Sequence, residues 1–178
     1  MQTREVKTRR RVVTGLRDGR SAVLHEDNLP VYRFSAIPGF EHSAVWAAQS
    51  LISAGATEVD ARLAAWALPR PGESLVQIVT FPPDAVRRSG NIDPQAAGAE
   101  YASRLPGLAE TFEQDGSGMH TTRTLDYAIL QDGEISLELD DGEIVDLRAG
   151  DIVVQQGVRH GWRNRGDKPA TVLFVMLG

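Results

Sequence analysis

The fold is decided by one stretch near the end of the chain, residues 119–164, which reads MHTTRTLDYAILQDGEISLELDDGEIVDLRAGDIVVQQGVRHGWRN. Within it, residues 134–140 alternate strictly between polar and apolar side chains, a pattern typical of a strand with one face in water. The Asp141-Gly142 pair that follows favours a tight hairpin turn. Other runs of β-type residues are separated by turn residues and lie at 126–130, 144–147, 152–154 and 171–177. The sequence from residue 119 onward therefore predicts an antiparallel β meander that closes on itself.

Two further β elements are predicted in the first 115 residues, where the pattern is less regular. Residues 11–14 and 21–24 flank the turn residues 17–20 and indicate a hairpin. Residues 75–81 predict a strand, which the following two prolines would end.

One short helix is predicted. Asp93 precedes Pro94, which places an N-cap residue before a proline suited to the first helical turn. The helix should run from Pro94 to about Leu105, because a proline and a glycine follow.

Residues 43–50 and 61–68 fit either a strand or a short helix, since their apolar periodicity does not distinguish the two. Trp46 and Trp66, which these segments contain, are expected to pack where the N-terminal part of the chain meets the closed β meander.

Two of the four histidines stand in patterned surroundings. In extended chain, alternate side chains share one face, and two such sets occur here. The first set is His120, Thr122, Thr124 and Asp126, and the second is His160, Trp162 and Asn164. The two imidazoles and the carboxylate match the two-histidine-one-carboxylate set that leaves coordination positions open on a divalent metal. His25 and His42 have no partner at a useful spacing and are expected at the surface or in an interface.

The candidate metal ligands also have a plainer interpretation. Without a metal, His120 and His160 would form a neutral hydrogen-bonded pair that lines an empty pocket. Asp126 would then pair with Arg123 or Arg159 at the end of a strand.

The remaining candidates are pocket residues. Thr122 and Thr124 are expected to offer hydroxyl groups to water or substrate. Trp162 fits either the core or a platform for the substrate. Asn164 fits either the pocket or the turn after its strand, which it would pin.

Residues 115–178 resemble the cupin family, small β-barrels defined by the motifs G-x5-H-x-H-x3,4-E-x6-G and G-x5-P-x-G-x2-H-x3-N. His120 and Gly133 match the first motif, and Asp126 stands where its glutamate belongs. The residues that match the second motif are Gly150, Gly157, His160 and Asn164. The resemblance implies an all-β cupin fold, a double-stranded β-helix of jelly-roll type.

That fold implies a single domain over residues 1–178. Residues 1–70 would be an N-terminal extension or arm, residues 71–178 the barrel, and residues 115–178 its motif core. The prediction is thus a barrel with an N-terminal extension and one short helix.

The chain departs from the family pattern at specific positions. Thr122 occupies the place of the second histidine, which is a ligand in metal-binding cupins, and Asp126 is one methylene shorter than glutamate. Gln155 stands in the place of the proline, and the loop from Gly150 is one residue shorter than the consensus. Gln114 stands where the first glycine would be.

Two functions are compatible with the resemblance. One is a metal-dependent enzyme of dioxygenase or lyase/isomerase type that acts on a small organic molecule. His120, Asp126 and His160 would hold its ion, Fe(II) in preference to Zn, Mn or Ni. The other is a metal-free barrel that binds or senses a small molecule without catalysis. A homodimer is expected in either case, because an open edge strand invites pairing and the N-terminal hairpin could serve as an arm.

Composition argues against several other functions. The 178 residues include 19 Lys and Arg against 24 Asp and Glu, a formal net charge of −5 that disfavours nucleic-acid binding. The one basic cluster, Arg9 to Arg11, is expected on an exposed strand. Cysteine is absent, which excludes disulfides and thiolate metal sites. Because no apolar run approaches about 20 residues and the N-terminus is charged, a cytoplasmic protein without membrane contact is expected.

Overall fold

The computed structural model describes residues 8–49, 67–88, 90 and 92–178, and it consists mainly of β-strands. In chain order the strands are β1 (Arg10–Arg17), β2 (Arg20–Asn28), β3 (Tyr32–Arg33), β4 (Glu41–Ala48), β5 (Ser74–Phe81), β6 (Leu125–Asp132), β7 (Glu134–Glu138), β8 (Ile144–Arg148), β9 (Ile152–Gln156), β10 (Gly161–Arg163) and β11 (Ala170–Leu177). The helices are α1 (Asp84–Arg88) and α2 (Pro94–Arg104), with 3-10 turns at Ala109–Thr111 and Asp140–Gly142. The predicted all-β fold is confirmed.

The strands form a large sheet, a small sheet and a hairpin. The large sheet has the order β3-β4-β5-β11-β6-β9, the small sheet has the order β10-β7-β8, and all of their pairs are antiparallel. The meander predicted from residue 119 onward supplies the small sheet and half of the large one. Strands β3 and β4, which lie within the predicted extension at residues 1–70, are hydrogen-bonded members of the large sheet.

The core lies on one face of the large sheet. Alternate side chains of β11, namely Val172, Phe174 and Met176, are buried there. Tyr101 of α2 lies against Phe34, Phe40 and Phe112, with ring centroids 5.3, 5.3 and 5.8 Å apart. The helix therefore packs over this face. Phe112, which follows the helix, stacks on His120 with ring centroids 4.3 Å apart.

Local sequence signals account for the turns and for α2. Asp141 and Gly142 have positive φ values of 56° and 74°, as a tight hairpin between β7 and β8 requires. The Asp93 side chain accepts a hydrogen bond from the Gln95 amide at 2.9 Å, so the predicted helix over residues 94–105 is confirmed. Helix α1 was not predicted, because five residues are too few to show a helical period.

Gly133 joins β6 to β7 at a position where only glycine fits. Its φ is 82°, and a Cβ added there would lie 2.7 Å from the Pro169 carbonyl oxygen and 2.9 Å from the Ala170 Cα. The motif glycine is therefore required by both backbone conformation and close packing.

The predicted N-terminal hairpin is confirmed, but its basic cluster is not wholly exposed. Strands β1 and β2 pair across a turn at Asp18 and Gly19. Arg11 is only 7% exposed, and it donates two hydrogen bonds to the Asp27 carboxylate and one to the Val45 carbonyl of β4. The prediction of exposure was wrong for Arg11, because a charge run in the sequence does not show which member has a partner across the hairpin.

The two ambiguous segments have different outcomes. Residues 43–50 largely belong to strand β4, which ends at residue 48 and on which Trp46 is partly buried. Most of residues 61–68, including Trp66, lies outside the described residues. In the parts of the chain that are described, no helix is long and apolar enough to cross a bilayer.

Candidate functional site

A cavity of about 70 Å³ lies between the inner face of the large sheet, the α2 segment and the residues around His120 and His160. Its apolar lining is Phe40, Val79, Phe81, Tyr101, Leu105, Leu108, Phe112, Trp162, Phe174 and Met176. Its polar lining is His42, Gln77, His120, Thr122, Asp126, Gln155 and His160. The cavity thus combines mostly apolar walls with a few polar groups, which is the usual composition of a small-molecule site.

His120 and His160 are held side by side by their own backbones. The His120 amide donates to the His160 carbonyl, and the His160 amide donates to the His120 carbonyl, both at 2.9 Å. The two imidazole centroids are 4.2 Å apart, and the residues are 8% and 3% exposed. The sequence predicted that these histidines would converge, and they do.

The hydrogen bonds of the two rings assign their tautomers. Nδ1 of His120 lies 3.3 Å from the Gly118 carbonyl oxygen, and Nδ1 of His160 lies 2.9 Å from the Val158 carbonyl oxygen. Because a carbonyl oxygen only accepts, each Nδ1 is assigned as the donor, which leaves the lone pair of each ring on Nε2. Such an outer hydrogen bond orients a ligating imidazole.

Both rings are electrically neutral near pH 7. Burial, with the neighbouring His160 second, lowers the pKa of His120 to about 4. Burial also lowers the pKa of His160. Two neutral imidazoles with free Nε2 atoms can accept a proton or bind a metal ion.

Thr122, Thr124 and Asp126 share one buried face, as the alternation predicted. Each of the three is at most 7% exposed, whereas the intervening Thr121 and Arg123 are exposed. The Thr124 hydroxyl donates to the Thr122 hydroxyl at 3.0 Å, and the Thr122 hydroxyl donates to Asp126 Oδ2 at 3.4 Å. Thr124 is not among the cavity-lining residues, so it supports Thr122 from behind.

Asp126 sits in an environment that disfavours its charge. Burial raises its pKa, although the two threonine hydroxyls act in the opposite direction. Its Oδ1 atom is buried and has no hydrogen-bond partner among the described residues. The expected alternative partner Arg159 binds Glu113 and Asp140 instead.

Gln155 is a cavity residue that sequence reasoning missed. It lies directly opposite Asp126 across the β6–β9 pair and is 3% exposed. Its Nε2 and Oε1 atoms are both buried without a hydrogen-bond partner in the described part of the chain. A usable signal existed, because an inward Gln155 alternates with the outward-facing, exposed Val154 and Gln156.

His42 was predicted at the surface or in an interface, and this prediction was wrong. It lines the cavity from β4, where its Nε2 lies 2.8 Å from Gln77 Oε1, and the Gln77 amide nitrogen lies 3.1 Å from the Met176 sulfur. Burial lowers the pKa of His42. His25 does lie at the surface, 43% exposed on the hairpin and 3.2 Å from Asp27.

Comparison with known proteins matches residues 110–176 to the model of the cupin domain family. This part of the chain is a cupin domain. Phomopsin biosynthesis cluster protein C' of Diaporthe leptostromiformis is 53% identical over 60 residues, which are 33% of this chain and 32% of that protein. Cupin-domain-containing oxidoreductase virC of Hypocrea virens is 41% identical over 64 residues, 34% of this chain and 33% of that protein. The chain thus spans about a third of the length of these relatives.

Solved structures include similar chains of low identity. A cupin 2 conserved barrel domain protein from Salinispora arenicola covers 59% of this chain and 63% of its own, at 15% identity and a TM-score of 0.36.

Of the predicted pocket residues Trp162 and Asn164, the first lines the cavity and the second does not. Trp162 lines the cavity and also packs on Phe81 and Phe174, at centroid distances of 6.2 and 5.5 Å, so it serves both core and pocket. Asn164 is 2% exposed and is not among the lining residues. Its side-chain amide donates to the Phe81 and Lys168 carbonyls, and its Oδ1 accepts from the Gly166 amide. It pins the turn after β10 and does not face the cavity.

Two side chains of the cupin domain have the chemistry of metal ligands. The Nε2 atoms of His120 and His160 fit a divalent ion, since both rings are neutral and oriented by their Nδ1 hydrogen bonds. Across the described ranges, no group of three His, Asp or Glu side chains is arranged to hold an ion. The full set of His120, Asp126 and His160 therefore stays a prediction.

Proposed function

We propose that this protein is a cupin enzyme that acts on a small organic molecule in the cavity, with His120 and His160 as ligands of a divalent metal ion. The observation that carries the proposal is the pairing of the two imidazoles by mutual backbone hydrogen bonds, together with Nδ1 hydrogen bonds that leave the lone pair of each ring on Nε2. The relatives named cupin-domain-containing oxidoreductases support redox chemistry. Asp126, which lines the same cavity, is the candidate third ligand.

A bound ion, Fe(II) in preference to Zn, Mn or Ni, would supply Lewis-acid polarisation or one-electron redox chemistry. The protein contributes ligands that need not lose a proton first, because the pKa values of His120 and His160 are both lowered. The aromatic and aliphatic walls exclude water and hold the apolar part of the substrate.

A metal-free binding or sensing barrel is the second candidate function. It is favoured by Thr122, which replaces the second motif histidine and whose hydroxyl is already engaged with Asp126. A position that contributes a ligand in metal-binding cupins is here part of an internal hydrogen-bond chain.

The two candidates are separated by elemental analysis of untagged protein, followed by anaerobic calorimetric titration with Fe(II). The enzyme proposal expects one equivalent of metal in the wild type, a loss in His160→Ala, and a smaller loss in Asp126→Asn. His25→Ala is the matched control, because that histidine lies on the surface hairpin. Equal metal content in the wild type and His160→Ala would contradict the metal-dependent function.

Thr122→His gives an independent test. It would place a third imidazole on the face of His120 and should tighten metal binding, since imidazole binds first-row divalent ions better than a neutral hydroxyl. If neither the wild type nor this variant binds metal after reconstitution, the binding-module function is the one that stands.

A further inference from the structure

The buried amide of Gln155 has an unmet hydrogen-bonding requirement. Its nitrogen and oxygen atoms are both without a partner in the described ranges, although the residue is only 3% exposed. Asp126 lies opposite it on β6, yet Asp126 Oδ1 is also without a partner. A buried polar group left unpaired destabilises a protein, so three such atoms lining one cavity point to a ligand that pairs with them.

The three atoms form a specific pattern. Gln155 Nε2 is a donor, whereas Gln155 Oε1 and Asp126 Oδ1 are acceptors. A primary carboxamide has the complementary pattern, with one carbonyl acceptor and two N–H donors. The adjacent strands place both partners on the same wall of the cavity.

The charge of the cavity selects a neutral group over an anionic one. No Lys or Arg occurs among the described residues that line it. Burial lowers the pKa of His42, so this ring adds no positive charge near pH 7. In the metal-free protein a carboxylate would therefore be buried beside Asp126 without a counter-charge, which is strongly unfavourable.

The size of the cavity limits what enters it. About 70 Å³ holds a group of several heavy atoms and not a large ligand. The walls beyond Gln155 are aromatic and aliphatic, including Trp162, Phe174 and Met176. The occupant should therefore be a carboxamide on a compact apolar body.

We propose that Gln155, together with Asp126, is the recognition site for the neutral carboxamide group of a small apolar molecule. The inference rests on the proposed function in that it names the substrate class of the same cavity. Gln155 is here a binding residue that orients the substrate relative to the histidine pair.

The test uses isobutyramide, with isobutyrate as the charged analogue and 3-methyl-2-butanone as the analogue that only accepts hydrogen bonds. Binding is measured by ligand-observed NMR titration of the full chain, both with a chelator present and after loading with Fe(II). Isobutyramide should bind more tightly than either analogue. In Gln155→Leu its affinity should fall about thirtyfold, since two net hydrogen bonds are lost.

Gln156→Leu is the matched control, because Gln156 is the exposed neighbour on the same strand and its loss should leave the affinity unchanged. The ligand-free Gln155→Leu protein should melt at the same temperature as the wild type or higher, since an unpaired buried amide is removed. A folded variant with weaker amide binding therefore cannot be explained by unfolding.

Equal affinities of Gln155→Leu and Gln156→Leu for isobutyramide would overturn the proposal. So would isobutyrate binding as tightly as the amide, or a wild type that binds no isobutyramide. The metal content of the wild type separates the two proposals. If the wild type holds metal but does not prefer isobutyramide to its analogues, only the carboxamide site is refuted. If the wild type holds no metal, the metal-dependent function fails independently.

Discussion

Replacing Asn164 with alanine should destabilise the protein without affecting the cavity. The side chain is 2% exposed, and it makes hydrogen bonds of 3.0 Å to Phe81, 2.8 Å to Lys168 and 3.1 Å from Gly166. At about 1 kcal/mol each, the three bonds contribute about 3 kcal/mol to the free energy of unfolding. For a chain of 178 residues this corresponds to a fall in Tm of about 6–12 °C.

The assay is thermal unfolding followed by far-UV circular dichroism, together with metal and isobutyramide titrations of the folded variant. Asn28→Ala is the control, since Asn28 is exposed at the end of β2 and should melt like the wild type. Asn164→Asp should be destabilising as well, because it keeps the acceptor for Gly166 but turns an oxygen towards two carbonyls.

Two results would refute this assignment. One is a loss of less than about 1 kcal/mol in Asn164→Ala, because the three bonds would then contribute little. The other is weaker ligand or metal binding at an unchanged Tm. That result would support the alternative sequence prediction, in which Asn164 is a pocket residue.

Three further predictions concern stability. Gly133→Ala should lower the Tm far more than Gly142→Ala, because both glycines have positive φ but only Gly133 faces backbone atoms within 2.9 Å of an added Cβ; equal losses would contradict this. Burial lowers the pKa of His42 in the folded protein, so as the pH falls His42 is protonated in the unfolded chain before it is protonated in the folded one. The free energy of unfolding should therefore be at its maximum above about pH 6.5 and should decrease below that pH. In His42→Gln the free energy of unfolding, measured by urea titration, should decrease less steeply with falling pH, by up to about 1.4 kcal/mol per pH unit. The same pH dependence in the variant and the wild type would contradict the role of His42. Arg11→Met should accelerate proteolytic cleavage of the hairpin, because Arg11 bonds to Val45 of the large sheet. Arg10→Met loses only an exposed ion pair and should not change the cleavage rate. Identical rates in the two variants would show that Arg11 does not hold the hairpin on the sheet.

The sequence predicts local features of this fold well and long-range ones poorly. The alternation at residues 120–126 has a period of two, which any extended chain shows, so the buried face of Thr122, Thr124 and Asp126 follows directly. The hairpin turn at Asp141 and Gly142 depends only on residues that tolerate positive φ.

Residues whose role depends on distant partners were misjudged. His42 enters the cavity only because β4 pairs with β5 and places it beside Gln77, which no local pattern records. Arg11 is buried because Asp27 and Val45 receive its hydrogen bonds. The sequence showed Gln155 only as a residue at the proline position of the second motif. Its position opposite Asp126 depends on the register between β6 and β9.

The mutual backbone bridge between His120 and His160 has a consequence for how this protein can change over evolution. The spacing of the two rings is set by two amide-to-carbonyl bonds between the residues themselves, and not by the chain that connects them. Insertions or deletions at the exposed hairpin tip around Asp141 and Gly142 should therefore leave the imidazole pair unchanged. The spacing of the imidazole pair is therefore independent of loop length, so the surface loops can diversify while the geometry of the pair is retained.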